Sequence, residues 1–263
     1  MQTFVRDASV LPDALERVNH ATMLLASSTE LFLTIRDSMK RCLSLKRANL
    51  ISRLYKEVYQ VSLVGYARFL ATAVPAGKTA GLRTLCHIAN TAHYCLKMVT
   101  QLEETIQKSL DKKGEVHEAV SWHDYVDAQH AASAAAAGVA VQNLRPILKK
   151  VQDVAAAARR GETIGQSTNM GQLGSGLGGG CSLYVSELAE ALGQMPSIED
   201  ALAPEVRSVV LSMFAEATVQ LYLEMILGCR KMNPQTVELL LNDAATVQVM
   251  LMEMMDEVFP HPT

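Results

Sequence analysis

The chain has 263 residues and a net charge of −3, and 49% of its residues are apolar although only 5% are aromatic. This charge gives no general attraction to nucleic acid or to an anionic membrane, so electrostatic binding has to be local. Because Ala, Leu, Val and Met carry most of the hydrophobicity, the composition favours helix over sheet. The five scattered cysteines are typical of reduced thiols in a cytosolic protein: Cys42, Cys86, Cys95, Cys181 and Cys229.

The beginning of the chain does not resemble a secretion signal. Arg6 and Asp7 stand where a signal peptide needs its apolar core. The longest apolar run, residues 131–141, is mostly alanine and too short to span a bilayer. We therefore expect a soluble, intracellular protein without a transmembrane segment.

Apolar residues spaced by three and four predict helices in the first half of the chain. The second helix is predicted to cover residues 48–73 and to end at Pro75 and Gly77, and the third to start near Thr79. The first helix has one predicted buried face: Leu25, Ser28, Phe32, Ile35, Met39 and Cys42. The third has the apolar stripe Leu85, Ala89, Ala92, Leu96, Val99, Ile106 and Leu110.

The sequence also predicts helices in the second half of the chain. Residues 115–160 form a helical region that Pro146 is expected to kink or break. Ser182 is a candidate N-cap, and Pro204 occupies the first turn of a helix that runs to about Met232. Asn233 is expected to cap the last helix, whose predicted seam is Val237, Leu240, Ala244, Val247, Leu251, Met254 and Val258.

These elements predict an all-α fold, an elongated rod of tandem antiparallel helical bundles with about seven long helices and no β-sheet. Residues 12–145 are predicted to form the first bundle, and residues 146–160 a helix leading to a linker. Residues 161–180 are predicted to be a flexible glycine-rich linker, and residues 181–259 the helices that complete a second bundle.

The linker contains a literal G-x-G-x-x-G motif at Gly174, Gly176 and Gly179. A dinucleotide site of this kind needs a β-strand before the glycines and a helix after them. Here a helix end and polar coil precede the glycines. The motif is therefore interpreted as part of a flexible connector.

The segment from Cys86 to Cys95 also contains His87 and His93, which invites a zinc hypothesis. On a helix the two cysteines point to opposite faces, whereas zinc needs its ligands around one ion.

A second group of candidate metal ligands consists of three histidines in residues 117–130. It lacks the carboxylate of a metalloprotease pattern, and the sequence contains no nucleophile elbow. We predict no catalytic residue, no cofactor and no metal site. The three histidines of the second group are His117, His123 and His130, which lie near Trp122 in the sequence.

Basic residues cluster at the turn between the first two helices, and no acidic residue occurs there before Glu57. Such a patch can bind acidic lipid headgroups or an acidic partner. It can also be a solvated helix corner with cations near a helix C-terminus. We call this set the basic corner: Lys40, Arg41, Lys46, Arg47, Arg53 and Lys56.

Four segments resemble, in order, the C-terminal region of the vacuolar protein sorting-associated protein fifty-three family. They are SSTELFLTIRDSMKRC, IANTAHYCLKMVTQLEETI, SLYVSELAEALGQMPSI and NPQTVELLLNDAATVQVMLMEM, and together they cover about two thirds of the chain. Proteins of this family are subunits of the GARP and EARP vesicle-tethering complexes. The last segment lacks the family's proline. The alanine-rich fourth region and the glycine linker match nothing in the family.

The resemblance implies a non-enzymatic C-terminal module that helps to capture endosome-derived vesicles at the trans-Golgi network. Implied partners are other tethering subunits, with SNAREs, small GTPases or anionic lipid headgroups as further candidates. The implied location is cytosolic, peripheral on trans-Golgi network and endosome membranes. We expect binding through the basic corner and one face of the third helix, around His87, Asn90 and Tyr94. The alternative is an all-helical ligand-binding protein or enzyme that uses the glycine loop or the Cys86–His93 segment.

Overall fold

The computed structural model divides the chain into two compact units. The first comprises Met1–Ala136 with Ala201–Val206, and the second Ala137–Asp200 with Arg207–Thr263. The domain boundaries expected from the sequence stay a prediction. The structure describes residues 15, 17–19, 22–45, 48–111, 122–160, 166–167, 181–193, 201–229 and 232–256.

The fold is all-α, as the periodicity of the sequence predicts. The expectation of no β-sheet is wrong, because two pairs of two-residue strands form. A π-helical turn, Tyr55–Tyr59, joins α2 to α3, and the strands pair antiparallel as β1 with β2 and β3 with β4. The strands are β1 Val18–Asn19, β2 Leu24–Leu25, β3 Gln166–Ser167 and β4 Cys181–Ser182. The helices are α1 Ala26–Ser44, α2 Ala48–Leu54, α3 Gln60–Ala80, α4 Leu82–Asp111, α5 His123–Arg160, α6 Leu183–Gly193, α7 Pro204–Leu227 and α8 Pro234–Asp256.

The core of the first unit is built on the predicted apolar faces. All six residues of the face predicted for the first helix, from Leu25 to Cys42, are buried. Of the apolar stripe on α4, Leu96 is half-buried, and the side chain of Leu110 is not described. The other five members are buried: Leu85, Ala89, Ala92, Val99 and Ile106. Each large apolar side chain removed from water contributes about 1.5–3 kcal/mol, so this face stabilises α4.

The prediction that the helix ends at Pro75 is wrong, because α3 continues through Pro75 to Ala80. At Pro146 the expected break is absent, because α5 is one helix, whereas the expected kink stays a prediction. A proline removes one helical hydrogen bond, which costs least where water can replace it. Pro75 and Ala71, the residue whose carbonyl loses its partner, are both exposed. The helix also gains by continuing, because Gly77 beyond the proline is buried.

Gly81 makes the turn between α3 and α4. Its φ of 108° and ψ of 174° lie where side chains other than glycine are strained, and its N–H donates to the Gly77 carbonyl at 2.9 Å. The turn is a single residue long, since α3 ends at Ala80 and α4 begins at Leu82.

We expect Gly81→Ala to lower the free energy of unfolding by about 1–3 kcal/mol, through strain in the turn. Gly65→Ala is the matched control, because Gly65 lies inside α3 and a Cβ there would meet no atom within 4 Å. That variant should raise stability by up to about 1 kcal/mol, since alanine favours helix. Urea unfolding followed by circular dichroism measures both. Equal stability of the two variants would contradict the strain.

In the second unit, side chains distant in sequence hold the start of α6. The buried Asp243 carboxylate on α8 accepts the Ser182 N–H at 2.9 Å. Ser182 precedes α6 as predicted, but its hydroxyl has no hydrogen-bond partner among the described residues, so Asp243 fills the capping role. The Tyr184 hydroxyl hydrogen-bonds to that of Tyr222 at 2.8 Å.

The last helix begins as predicted. Asn233 accepts the Thr236 N–H at 2.7 Å, which is the geometry of an N-cap, and α8 starts at Pro234. Leu240, Val247 and Leu251 of the predicted seam are buried, whereas Val237 is exposed. Ala244 and Met254 are half-buried, and Val258 lies outside the described residues.

Helix α7 is apolar around its whole circumference. By length and composition it could cross a membrane, and the expectation that the chain has no transmembrane segment stays a prediction. A core helix meets the same criteria, and Val210, Phe214 and Leu221 are buried in the protein. Only 39% of the helix's most apolar window is buried, however, so much of α7 remains on the surface.

Candidate binding surfaces

The described residues of the basic corner are on the surface of the first unit. Lys40 and Arg41 are exposed near the end of α1, Arg53 is exposed on α2, and Lys56 is exposed in the π-helical turn. Lys46 and Arg47 lie outside the described residues. The four described cations therefore occupy consecutive helical segments, which contact one another.

Packing explains why these cations face water. Met39 and Cys42 on α1 are buried, as is Tyr55 in the π-helical turn. A helix advances 100° per residue, so burying these positions turns the intervening lysines and arginines outward. The Ser38 hydroxyl on α1 also hydrogen-bonds to that of Tyr59, which ties α1 to the turn that contains Lys56.

The cations of the basic corner differ in whether an acidic residue of the chain already pairs with them. Arg53 donates from Nε to Glu57 Oε1 at 2.9 Å, across one helical turn. Within the described part of the chain, Lys40, Arg41 and Lys56 make no ion pair. These three cations are the ones that can contribute most to binding an anion.

The predicted face of the third helix, on α4, is a packing surface. Asn90 is 2% exposed and His87 is 5% exposed. The Asn90 side chain donates to the Ala201 carbonyl at 2.8 Å and accepts the Ala203 N–H at 2.9 Å. The expectation that these two residues lie on an exposed face is therefore wrong, because both are buried and the chain's own segment 201–203 contacts Asn90.

The same face of α4 also holds the turn before α1. The Met23 carbonyl lies 3.2 Å from His87 Nδ1 and 3.4 Å from the Asn90 Nδ2 donor, and the Leu25 N–H donates to the Thr91 hydroxyl at 3.0 Å. Met23 has a φ of 55°, a left-handed conformation that is strained for a non-glycine residue. These hydrogen bonds offset that strain.

Tyr94, the third residue predicted for this face, is half-buried. Its ring packs edge-on against Phe32, with centroids 5.8 Å apart, and burial raises the pKa of its hydroxyl. Thus His87 and Asn90 hold the first unit together, Tyr94 packs within it, and the face is not proposed as a binding surface again.

The Cys86–His93 segment has the properties of a core helix. Cys86 and Cys95 are fully buried. Burial raises the pKa of the Cys86 thiol to about 12 and that of Cys95 well above its usual value, so both stay protonated at neutral pH. A thiolate is the form that attacks substrates and binds metals. Within the described residues, no three His, Cys, Asp or Glu side chains cluster in a way that could hold a metal ion.

The remaining sequence candidates are spread out. His123 and His130 are exposed on α5, Trp122 is buried just before it, and His117 lies outside the described residues. The three motif glycines also lie outside them. The residues that flank the glycine-rich segment pair antiparallel, Gln166 with Ser182 and Ser167 with Cys181. This pairing brings the two ends of the segment together.

Thiol labelling tests the burial of the cysteines. We expect Cys181 and Cys229, which are half-buried, to react with iodoacetamide in the folded protein. The other three should react at least about a hundredfold more slowly, because they are buried and react only when the fold opens: Cys42, Cys86 and Cys95. Mass spectrometry of peptides gives each rate. Fast labelling of Cys86 would contradict the packing of α4.

Comparison with known proteins gives one partial similarity. The vacuolar protein sorting-associated protein 53 A of Arabidopsis thaliana is 33% identical over an alignment of 105 residues that covers 34% of this chain. The match covers 13% of the relative's own length. No family model matches, and no solved structure matches. The chain therefore has a distant and partial relationship to this sorting protein.

Proposed function

We propose that this chain is a non-enzymatic module of a multisubunit tethering complex of the GARP or EARP kind. In such a complex it helps to capture endosome-derived vesicles at the trans-Golgi network. The partial similarity to the sorting protein of Arabidopsis carries the proposal. The all-α fold and the protonated thiols of the Cys86–His93 segment are consistent with a binding module.

In this proposal, the basic corner contacts anionic lipid headgroups. A lysine or arginine near a membrane of this kind contributes about 1 kcal/mol. Lys40, Arg41 and Lys56 together then supply about 3 kcal/mol, roughly a hundredfold in partition. This is too weak to anchor the chain alone. It is enough to strengthen a complex that attaches at several points, because linked sites add avidity.

Vesicle sedimentation tests this contact. The test variant carries Lys40→Glu and Arg41→Glu, and the control carries Lys78→Glu and Arg83→Glu at exposed sites of the same unit. Each reversal changes the charge by −2, so both variants go from −3 to −7. With vesicles containing about 30% phosphatidylserine, we expect the test variant to bind at least about tenfold more weakly than the control.

Two results would contradict a membrane contact at this site. One is equal binding by the two variants. The other is binding of the unaltered chain that does not weaken in about 0.5 M salt, since screening suppresses exposed charge contacts. If the test variant instead loses a protein from cytosol but keeps its vesicle binding, the basic corner contacts an acidic protein.

A further inference from the structure

Ser44 is the last residue of α1 and lies beside the basic corner. Its side chain is exposed, and its hydroxyl donates to the Arg41 carbonyl at 2.6 Å on the surface of the helix. Residues three and four apart are neighbours on a helix, so Ser44 shares a face with the exposed cations Lys40 and Arg41. A negative charge added at Ser44 would therefore stand next to two of the cations that the membrane contact uses.

The sequence around Ser44 is basic on both sides. Arg41 and Lys40 precede it by three and four positions, and Lys46 and Arg47 follow it by two and three. Protein kinases select their substrates by charge pattern. Kinases of the basophilic class bind an arginine three positions before the acceptor serine through carboxylates, which form strong paired hydrogen bonds with a guanidinium. Of the serines and threonines in the described part of the chain, Ser44 alone has an arginine at that position.

The end of α1 can open for a kinase at a small cost. A kinase binds its acceptor segment in an extended form, so the last helical turn has to unwind. The last four carbonyls of a helix have no partner inside the helix, and helix ends fray. Ser44 and Leu45 are exposed, so water can replace their hydrogen bonds to the Arg41 and Cys42 carbonyls. The remaining cost is the exposure of Cys42, a small buried side chain.

We propose that Ser44 is a phosphorylation site for a basophilic protein kinase, and that its phosphate releases the basic corner from anionic membranes. The second part rests on the membrane contact proposed above. In the reaction, Ser44 Oγ forms a bond to the γ-phosphorus of ATP. The bond from that phosphorus to the oxygen that bridges the β- and γ-phosphates breaks, ADP leaves, and the hydroxyl proton passes to the catalytic aspartate of the kinase.

The phosphate opposes the charge on which the membrane contact depends. A phosphoserine carries a charge of about −1.5 to −2 at pH 7, against the three cations Lys40, Arg41 and Lys56. Each cation near an anionic membrane strengthens binding about fivefold, so cancelling two of them weakens binding about thirtyfold. The C-terminal end of a helix is itself negative and repels a phosphate. The neighbouring cations are therefore the groups that attract it.

Phosphorylation of the folded chain tests the first part. The probe is the catalytic subunit of the cyclic-AMP-dependent protein kinase with ATP, and mass spectrometry of peptides measures the phosphate on each serine and threonine. We expect Ser44 to become almost fully modified. Arg41→Gln should slow this reaction at least about tenfold. Arg36→Gln should leave the rate unchanged, because Arg36 is exposed on the same helix but lies outside the recognised positions.

Vesicle sedimentation tests the second part, with vesicles that contain about 30% phosphatidylserine. The phosphorylated chain should bind about tenfold to thirtyfold more weakly than a Ser44→Ala chain treated in the same way. This comparison controls for phosphate at other sites. Treatment with a phosphatase should restore the binding.

A single-charge variant gives a second measurement without a kinase. Ser44→Glu should weaken vesicle binding about threefold to fivefold, whereas Thr34→Glu, with the same change in charge, should leave it nearly unchanged. Thr34 is exposed on α1, ten residues before Ser44, and so about 15 Å away along the helix. This exceeds the screening length of about 8 Å in physiological salt. Circular dichroism should show the same helix content in all variants, because the hydrogen bond of Ser44 is exposed.

Two results would overturn the inference and leave the membrane contact standing. One is an unmodified Ser44 in a chain that binds vesicles. The other is equal vesicle binding by the phosphorylated chain and the treated Ser44→Ala chain. If the unmodified chain does not bind the vesicles at all, the membrane contact proposed above is wrong, and release by the phosphate is wrong with it.

Discussion

Asn90→Ala is expected to lower the free energy of unfolding by about 2–4 kcal/mol. The substitution removes a buried side chain that bonds two backbone groups of segment 201–203, both at less than 3 Å. Leaving buried N–H and carbonyl groups without partners costs about 1–3 kcal/mol each. The effect is large because Asn90 forms buried hydrogen bonds between α4 and residues more than a hundred positions later in the chain.

Urea unfolding followed by circular dichroism measures this cost. Asn143→Ala is the control, because Asn143 is exposed on α5. That change should stay within about 0.5 kcal/mol of the unaltered protein. If the two variants unfold at the same urea concentration, Asn90 does not hold segment 201–203 and the packing of the first unit given above is wrong.

The second large effect is expected in alkali, where the protein should unfold between about pH 11 and pH 12. The pKa of every one of its seven tyrosines is raised, chiefly by burial. Tyr55, Tyr125 and Tyr184 are fully buried. The negative charge of Glu103 raises the pKa of Tyr55 further, because the Tyr55 hydroxyl donates to that carboxylate at 2.6 Å.

The sign follows from the raised pKa values. A tyrosine ionises near pH 10 in the unfolded chain but at a higher pH in the folded protein. Its contribution to stability is therefore complete below pH 10 and is lost as the pH rises above it. Each fully buried tyrosine then costs about 1.4 kcal/mol per pH unit. Three such residues cost about 4 kcal/mol per pH unit, against a typical stability of 5–15 kcal/mol.

Absorbance near 295 nm reports tyrosinate, and circular dichroism reports helix in the same sample. We expect the two signals to change together in one steep transition, because the buried hydroxyls ionise when the fold opens. Gradual ionisation centred on pH 10 with intact helices would contradict the burial of these side chains.

The sequence predicts the local parts of this fold well. The spacing from Leu25 to Cys42 predicts a buried face, and all its residues are buried. Asn233 followed by Pro234 predicts a helix start, and the cap is present. Both features depend on neighbours within a few residues, which one sequence contains in full.

Long-range contacts could not be predicted in this way. Nothing in the sequence around His87 and Asn90 shows that both are buried or that segment 201–203 contacts Asn90, since polar residues on a helix usually face water. The capping of α6 by Asp243, from 61 positions away, is equally hidden in the sequence. Pro75 was misjudged because packing beyond it outweighs one lost hydrogen bond.

The sequence also predicts the surface properties of the protein only in part. The basic corner is visible as a run of lysines and arginines, although the ion pair of Arg53 with Glu57 reduces its usable charge. The exposure of Leu223 and Leu227 on α7 is not predictable in this way, because a helix with apolar residues on all sides has no periodicity that separates its buried face from its exposed one.

Affinity capture from cytosol with the complete chain as bait tests the tethering proposal most directly. The proposal predicts that subunits of a vesicle-tethering complex are enriched together, in fixed ratio, relative to beads that carry an unrelated helical protein. They should remain enriched with the Lys40→Glu and Arg41→Glu variant, whose defect is expected only at the membrane. If no tethering subunit is enriched with the folded, unaltered chain, the proposed function is wrong.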